Sequence, residues 1–168
     1  MDIFYYRKLK NLDRLNGKFK LRNYNLIEHS YMVAMLFKHF AKIEDVCYDP
    51  QVFDAILHHD IVEVVTADLP YDVKNFSEET KLAWAKIEEE LVKDHPQLER
   101  YTDTKLVLTP FQFMLFKVCD LLDLWIFLKE ESSYGNNSKD VREITQRAEE
   151  MIKGKFKSVD KYIETYEN

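Results

Sequence analysis

The chain has 168 residues, enough for one domain (residues 1–168) that buries a core without disulfides or a structural metal. Hydrophobic residues make up 46% and charged ones 32%, with only three glycines and four prolines, which excludes collagen-like and disordered chains and fits a helix-rich globular protein. A net charge of -6 and a pI near 5.4 argue against a nucleic-acid polymer as partner, because that affinity depends on clustered Lys and Arg releasing counterions.

A small phosphate ester is compatible with this charge, since one metal ion and a few local cations can offset it. No stretch approaches the length needed to cross a bilayer, and the run from Met1 to Arg7 lacks the apolar core of a signal peptide. Cys47 and Cys119 lie far apart, in neither a CxxC nor a CxH arrangement. The expectation is a cytoplasmic protein with no membrane partner and two reduced core thiols.

Taken in order, residues 2 to 13 read as a first helix, ending before the Asn16-Gly17 turn signal. A second helix runs from Glu28 to about Lys42, where Met32, Val33, Leu36, Phe37 and Phe40 continue one stripe from His29 and turn that imidazole inward. Asp49-Pro50 caps and opens a third helix that carries Val52, Phe53, Ile56 and Leu57 into His58-His59-Asp60 and ends near Ala67. Ser77 starts a fourth helix, stopped by Pro96, whose Glu88-Glu89-Glu90 run is a solvated face. Residues 95 to 108 are ambiguous. Thr109-Pro110 starts a strongly apolar fifth helix reaching about Glu131, and a last amphipathic helix spans roughly 138 to 164, with Gly154 a candidate interruption. About six helices and no period-2 strands give an all-α bundle.

A His-Asp pair near a helix end is common by chance, so His59-Asp60 carries little alone. A lone histidine on an apolar face is more often a core residue bonded to a carbonyl. Asp120 is harder to dismiss, because it shares an apolar helix face with Phe113, Phe116, Leu124 and Phe127. A carboxylate buried there is costly without a cation or several donors. Two imidazoles and two carboxylates from three helices can converge on one divalent ion in a bundle core. Mixed N and O ligands suit Mn, Fe, Co, Ni or Zn better than Ca. Glu63, four residues after His59, falls on the ligand side and can act as general acid or base, and Asp68 in the next turn can share that role. For Glu63 and Asp68 the competing reading is helix-end polarity and turn capping.

These residues, in this order, resemble the HD-domain superfamily, and within it the bacterial YfbR-type 5'-deoxynucleotidases. The matching segments are Glu28-His29-Ser30, His59-Asp60-Ile61-Val62-Glu63, Asp68-Leu69-Pro70, Val73-Lys74, and Asp120 followed by Gly135-Asn136-Asn137. The resemblance implies an all-helical enzyme, acting as a homodimer or higher homo-oligomer, that dephosphorylates deoxyribonucleoside 5'-monophosphates. It implies one divalent metal (Co, Mn, Fe, Ni, Zn or Mg) held by His29, His59, Asp60 and Asp120, with Glu63 and Asp68 as the catalytic acids. The family's substrate-holding Arg-Trp pair maps onto Arg14-Leu15, so the arginine is kept and the indole is not. Tyr24, Phe19 or Trp84 could replace its apolar surface. Arg14, with Lys74 and Arg22, would offset phosphate charge. The metal would polarise a phosphoryl oxygen and acidify an attacking water.

Other readings are release of triphosphate from a dNTP and, from a different class, an inactive nucleotide-binding or scaffold protein with the same fold. The stringent-response hydrolases fit poorly, because Val64 stands where they carry Asp, and no GYP segment is present.

Overall fold

The computed structural model describes residues 7–74, 76–95, 98 and 104–167. Among these the chain is all-α: α1 Leu26–Ile43, α2 Pro50–Leu57, α3 Glu63–Thr66, α4 Tyr71–Lys74, α5 Glu78–Asp94, α6 Thr104–Val107, α7 Pro110–Ser133, α8 Lys139–Ile152 and α9 Lys157–Glu167. The bundle therefore has nine described helices where the sequence suggests about six. Of the first helix expected at 2 to 13, residues 7–9 are helical, and residues 1–6 lie outside the described set, as does Pro96.

Helix starts follow the capping signals. Asn25 accepts from Glu28 N, Asp49 accepts from Gln51 N and Val52 N with Pro50 behind it, and Ser77 accepts from Thr80 N. Thr109 and Gln112 form a reciprocal capping box at the head of α7. The expected last helix is two, α8 and α9, because Gly154 sits at φ +76°, a left-handed conformation that ends one helix before the next begins.

The expected third helix also divides. From His58 to Val62 the backbone turns through i→i+3 bonds, His59 N to Ile56 O at 3.3 Å and Ile61 N to His58 O at 3.0 Å. The imidazoles of His58 and His59 donate locally, to Asp54 O and Ile56 O. That local bonding competes with continuation of the helix. Ile61, 1% exposed, anchors the turn against Leu9, Leu26 and Leu98.

The main core joins Val33, Phe37 and Phe40 of α1, Val52 and Ile56 of α2, Leu115, Cys119, Leu122 and Trp125 of α7, Ile152 of α8 and Ile163 of α9. Each Val, Leu, Ile or Phe among them contributes about 1.5–3 kcal/mol by burial. The inward stripe of α1 is Leu26, His29, Ser30, Val33, Ala34, Phe37, Phe40 and Ala41. It is rotated from the expected one, leaving Met32 38% exposed. Cys119 is buried but Cys47 is exposed, so only one cysteine is a core thiol. No described helix is long and apolar enough to cross a membrane.

The segment from Leu12 to Leu26 closes on itself through Arg14 N to Tyr24 O at 2.7 Å, Leu26 N to Leu12 O at 2.9 Å and an antiparallel bridge between Asp13 and Asn25. This loop lays Arg14 and Tyr24 over the start of α1 and the middle of α7.

Candidate metal centre

His29 is fully buried on α1, and His59 and Asp60 come from the turn after α2. Asp120 comes from the middle of α7, its side chain 14% exposed and so less buried than its apolar sequence context suggests. Ligand atoms of His29, His59 and Asp120 all lie within 4.8 Å of one another. His29 Nε2 is 3.3 Å from Asp120 Oδ1 and 3.6 Å from Asp60 Oδ2, and His59 Nε2 is 3.3 Å from the same Asp60 oxygen. The structure thus brings together all four residues that the sequence nominates.

Both Nε2 atoms are buried and lack a hydrogen-bond partner, whereas both Nδ1 atoms are engaged. His59 Nδ1 bonds Ile56 O at 2.7 Å, and His29 Nδ1 lies 2.7 Å from Asp123 Oδ2. A buried polar atom without a partner is costly, and two imidazole nitrogens facing two carboxylates form a donor set suited to a divalent transition metal. The residues fit such an ion.

The electrostatics agree. Burial pushes the His29 pKa down, with Arg14 adding to the effect, which favours the neutral imidazole a metal requires. Burial acts to lower His59 as well, but the Asp60 and Asp120 carboxylates outweigh it and raise its pKa. Burial acts to raise both Asp60 and Asp120. The attraction of His59 and Arg14 overrides this for Asp60, and that of Lys117 and Arg14 for Asp120, and both end well below the usual range. Both carboxylates are therefore held in the ionised form.

Glu63 opens α3 beside this group, 6% exposed. Burial and the nearby Asp60 push its pKa well above the carboxylate range despite Lys74, whose Nζ donates to Oε1 at 2.7 Å. Its other oxygen, Oε2, is buried without a partner. Asp68 is likewise raised, by burial and Asp60, against the pull of Arg14, Lys74 and Lys20. Two protonatable acids next to a candidate metal centre match general acid-base chemistry.

Arg14 Nη1 lies 3.6 Å from Asp120 Oδ1 and 3.8 Å from Asp60 Oδ2, buried and without a hydrogen-bond partner. Leu15 adopts φ +56°, a left-handed conformation that a bulky residue rarely holds, and its side chain packs with Tyr24, Phe127 and Leu128. Lys74 reaches the site through Glu63. Arg22 does not join it: Glu130 takes its Nη2 at 2.7 Å, and its guanidinium lies over the rings of Phe127 and Tyr134. Tyr24 is buried, Phe19 is 64% exposed, and Trp84 donates to Glu88.

Asp123, Lys117 and Lys20 are the neighbours that sequence reasoning misses. Lys117 pairs with Asp120 Oδ2 at 2.5 Å, and Lys20 holds the Arg14 carbonyl. The signal for Asp123 was present. It is a second carboxylate on the same apolar helix, three residues after Asp120, open to the same burial argument.

The sequence matches the model of the family described as 5'-deoxynucleotidase YfbR-like over residues 3–168. The chain belongs to the YfbR-like 5'-deoxynucleotidase family. Membership makes it a metal-dependent phosphohydrolase of the HD type. Solved structures share the fold. A cyanophage S-2L HD phosphohydrolase, DatZ, bound to dA and one catalytic Zn2+ ion, is 19% identical with a TM-score of 0.72, over 90% of this chain and 82% of that one. An HD-domain phosphohydrolase from Listeria innocua is 21% identical with a TM-score of 0.72, over 86% of this chain and 75% of that one. The PH0347 protein of Pyrococcus horikoshii OT3 is 23% identical with a TM-score of 0.71, over 98% and 93%. No curated protein matches the sequence significantly.

Proposed function

We propose that this chain removes the 5'-phosphate from deoxyribonucleoside monophosphates, yielding deoxynucleoside and inorganic phosphate, with one divalent ion held by His29, His59, Asp60 and Asp120. The observation that carries the site is the pair of buried, partnerless Nε2 atoms of His29 and His59 facing two ionised carboxylates. A bound ion would supply Lewis acidity, polarising a phosphoryl oxygen and making a water acidic enough to act near neutral pH.

The chain's own residues divide the rest. Arg14, buried and charged, faces Asp60 and Asp120 and would neutralise the phosphoryl oxygens. Glu63, with its raised pKa and free Oε2, would pass a proton between the attacking water and the leaving 5'-oxygen, steadied by Lys74. Asp68 would assist it from the following turn. Leu15 contributes to binding through the loop that aims Arg14. Arg22 serves that loop from a distance, held by Glu130 and Glu131.

DatZ is bound to dA and one catalytic Zn2+ ion, which supports a deoxynucleoside product here. A single family match over residues 3–168 supports reading 1–168 as one HD domain. We place the protein in the cytoplasm as a homodimer or higher oligomer, with neither a membrane nor a nucleic-acid polymer as partner. The exposed Ile27, Tyr31 and Met35 of α1 are apolar surface that a second copy could cover.

The test is a panel of dNMPs, NMPs and dNTPs given to metal-free protein resupplied with Mn, Co or Mg. Phosphate from dNMPs supports the proposal. Triphosphate from dNTPs would replace it with the triphosphohydrolase reading, and no turnover with any metal would leave a silent nucleotide-binding fold.

A further inference from the structure

Asp123 plays no part in the roles above, yet it is a charged side chain only 5% exposed on an otherwise apolar stretch of α7. Its Oδ2 lies 2.7 Å from His29 Nδ1 and accepts from the Tyr24 hydroxyl at 2.7 Å. It touches the edge of the His29 ring opposite Nε2, so it stands behind the candidate metal centre and is no ligand of it.

An ionised carboxylate only accepts, so the proton shared with His29 belongs on Nδ1 and the lone pair on Nε2. Tyr24 hydroxyl is also 3.2 Å from His29 Nδ1, but its hydrogen goes to Asp123 and cannot compete for the ring. Tyr24 is itself fixed: its ring stacks on Phe127 with centroids 4.1 Å apart, and its carbonyl accepts from Arg14 N. A carboxylate behind a ligating histidine sets both its tautomer and its aim.

The geometry points to Asp123 as a positioning residue that, with Tyr24, holds His29 as the Nδ1–H tautomer and aims Nε2 at the space shared with His59 and Asp120, ready for a divalent cation. This inference rests on the metal-site reading of the proposed function. A merely structural Asp123 would fill a polar gap in the core and leave the tautomer of His29 unaffected by its loss.

The experiment combines 15N NMR of the histidine rings in metal-free protein with Co2+ titration followed by visible absorption, on the wild type, Asp123→Asn and Tyr24→Phe. Wild-type His29 should be the Nδ1–H tautomer. Asp123→Asn should mix the tautomers and weaken Co2+ binding by about 10- to 100-fold, and Tyr24→Phe should lose less. A wild-type His29 protonated on Nε2 overturns the proposal without any variant. So does a folded Asp123→Asn with wild-type tautomer and Co2+ affinity. A wild type that binds no Co2+ removes the metal-site reading itself, and the tautomer result then decides whether Asp123 holds the ring.

Discussion

Lys74 Nζ donates to Glu63 Oε1 at 2.7 Å, while Glu63 Oε2 stays buried without a partner. One oxygen is thus held and the other is free to exchange a proton. Burial and Asp60 raise the Glu63 pKa, and Lys74 opposes them. Removing that opposition must raise it further. In Lys74→Met, the limb of the pH–kcat/KM profile governed by Glu63 should move to higher pH, whether Glu63 works as acid or as base. Glu63→Gln should retain metal and lose about 10²- to 10⁴-fold in turnover. Metal loss in Glu63→Gln would show it to be a ligand.

His29→Ala and Asp120→Ala each remove one of the ligand atoms that lie within 4.8 Å of one another. Each variant should emerge from dialysis without metal, as read by elemental analysis, while keeping its helical circular dichroism. Wild-type metal content in either variant would place the ion elsewhere.

Arg14→Lys keeps the charge and loses the planar fork. One charge-assisted contact is worth about 1.5–3 kcal/mol, so kcat/KM for a monophosphate should fall by about 10- to 100-fold, with metal content unchanged. An unaffected kcat/KM would show that Arg14 only balances Asp60 and Asp120.

Away from the site, Glu131 of α7 is fully buried and accepts from Leu21 N at 2.7 Å, Arg22 N at 3.0 Å and Asn136 Nδ2 at 2.7 Å. It ties the loop that carries Arg14 to α7. Burial acts to raise its pKa, but these donors outweigh it and lower it. A depressed folded pKa stabilises above the unfolded value of about 4.3 and the gain is lost as pH falls through the folded one. Glu131→Gln should therefore cost about 1–3 kcal/mol in urea unfolding at pH 7, and the gap should narrow toward pH 3.

The helices that frame the site are legible because their signals are local. Asn25, Asp49 and Thr109 each cap the helix that follows them, and the apolar period of α1 buries His29. The break at His58–Val62 is hidden, since Ile61, Val62 and Val64 continue an apolar pattern while the decisive bonds run from imidazoles to Asp54 O and Ile56 O. The fate of Arg22 is also a tertiary fact: Glu130 and Glu131 lie more than a hundred residues away in sequence. Asp123 differs from both, because its burial could be read from sequence by the reasoning that singles out Asp120.

The most direct test is an anomalous-scattering map of a crystal of this protein grown with Co2+. A single peak about 2.0–2.2 Å from His29 Nε2, His59 Nε2 and an oxygen each of Asp60 and Asp120 is the expected result. A peak outside this group, or none at saturating Co2+, would contradict it.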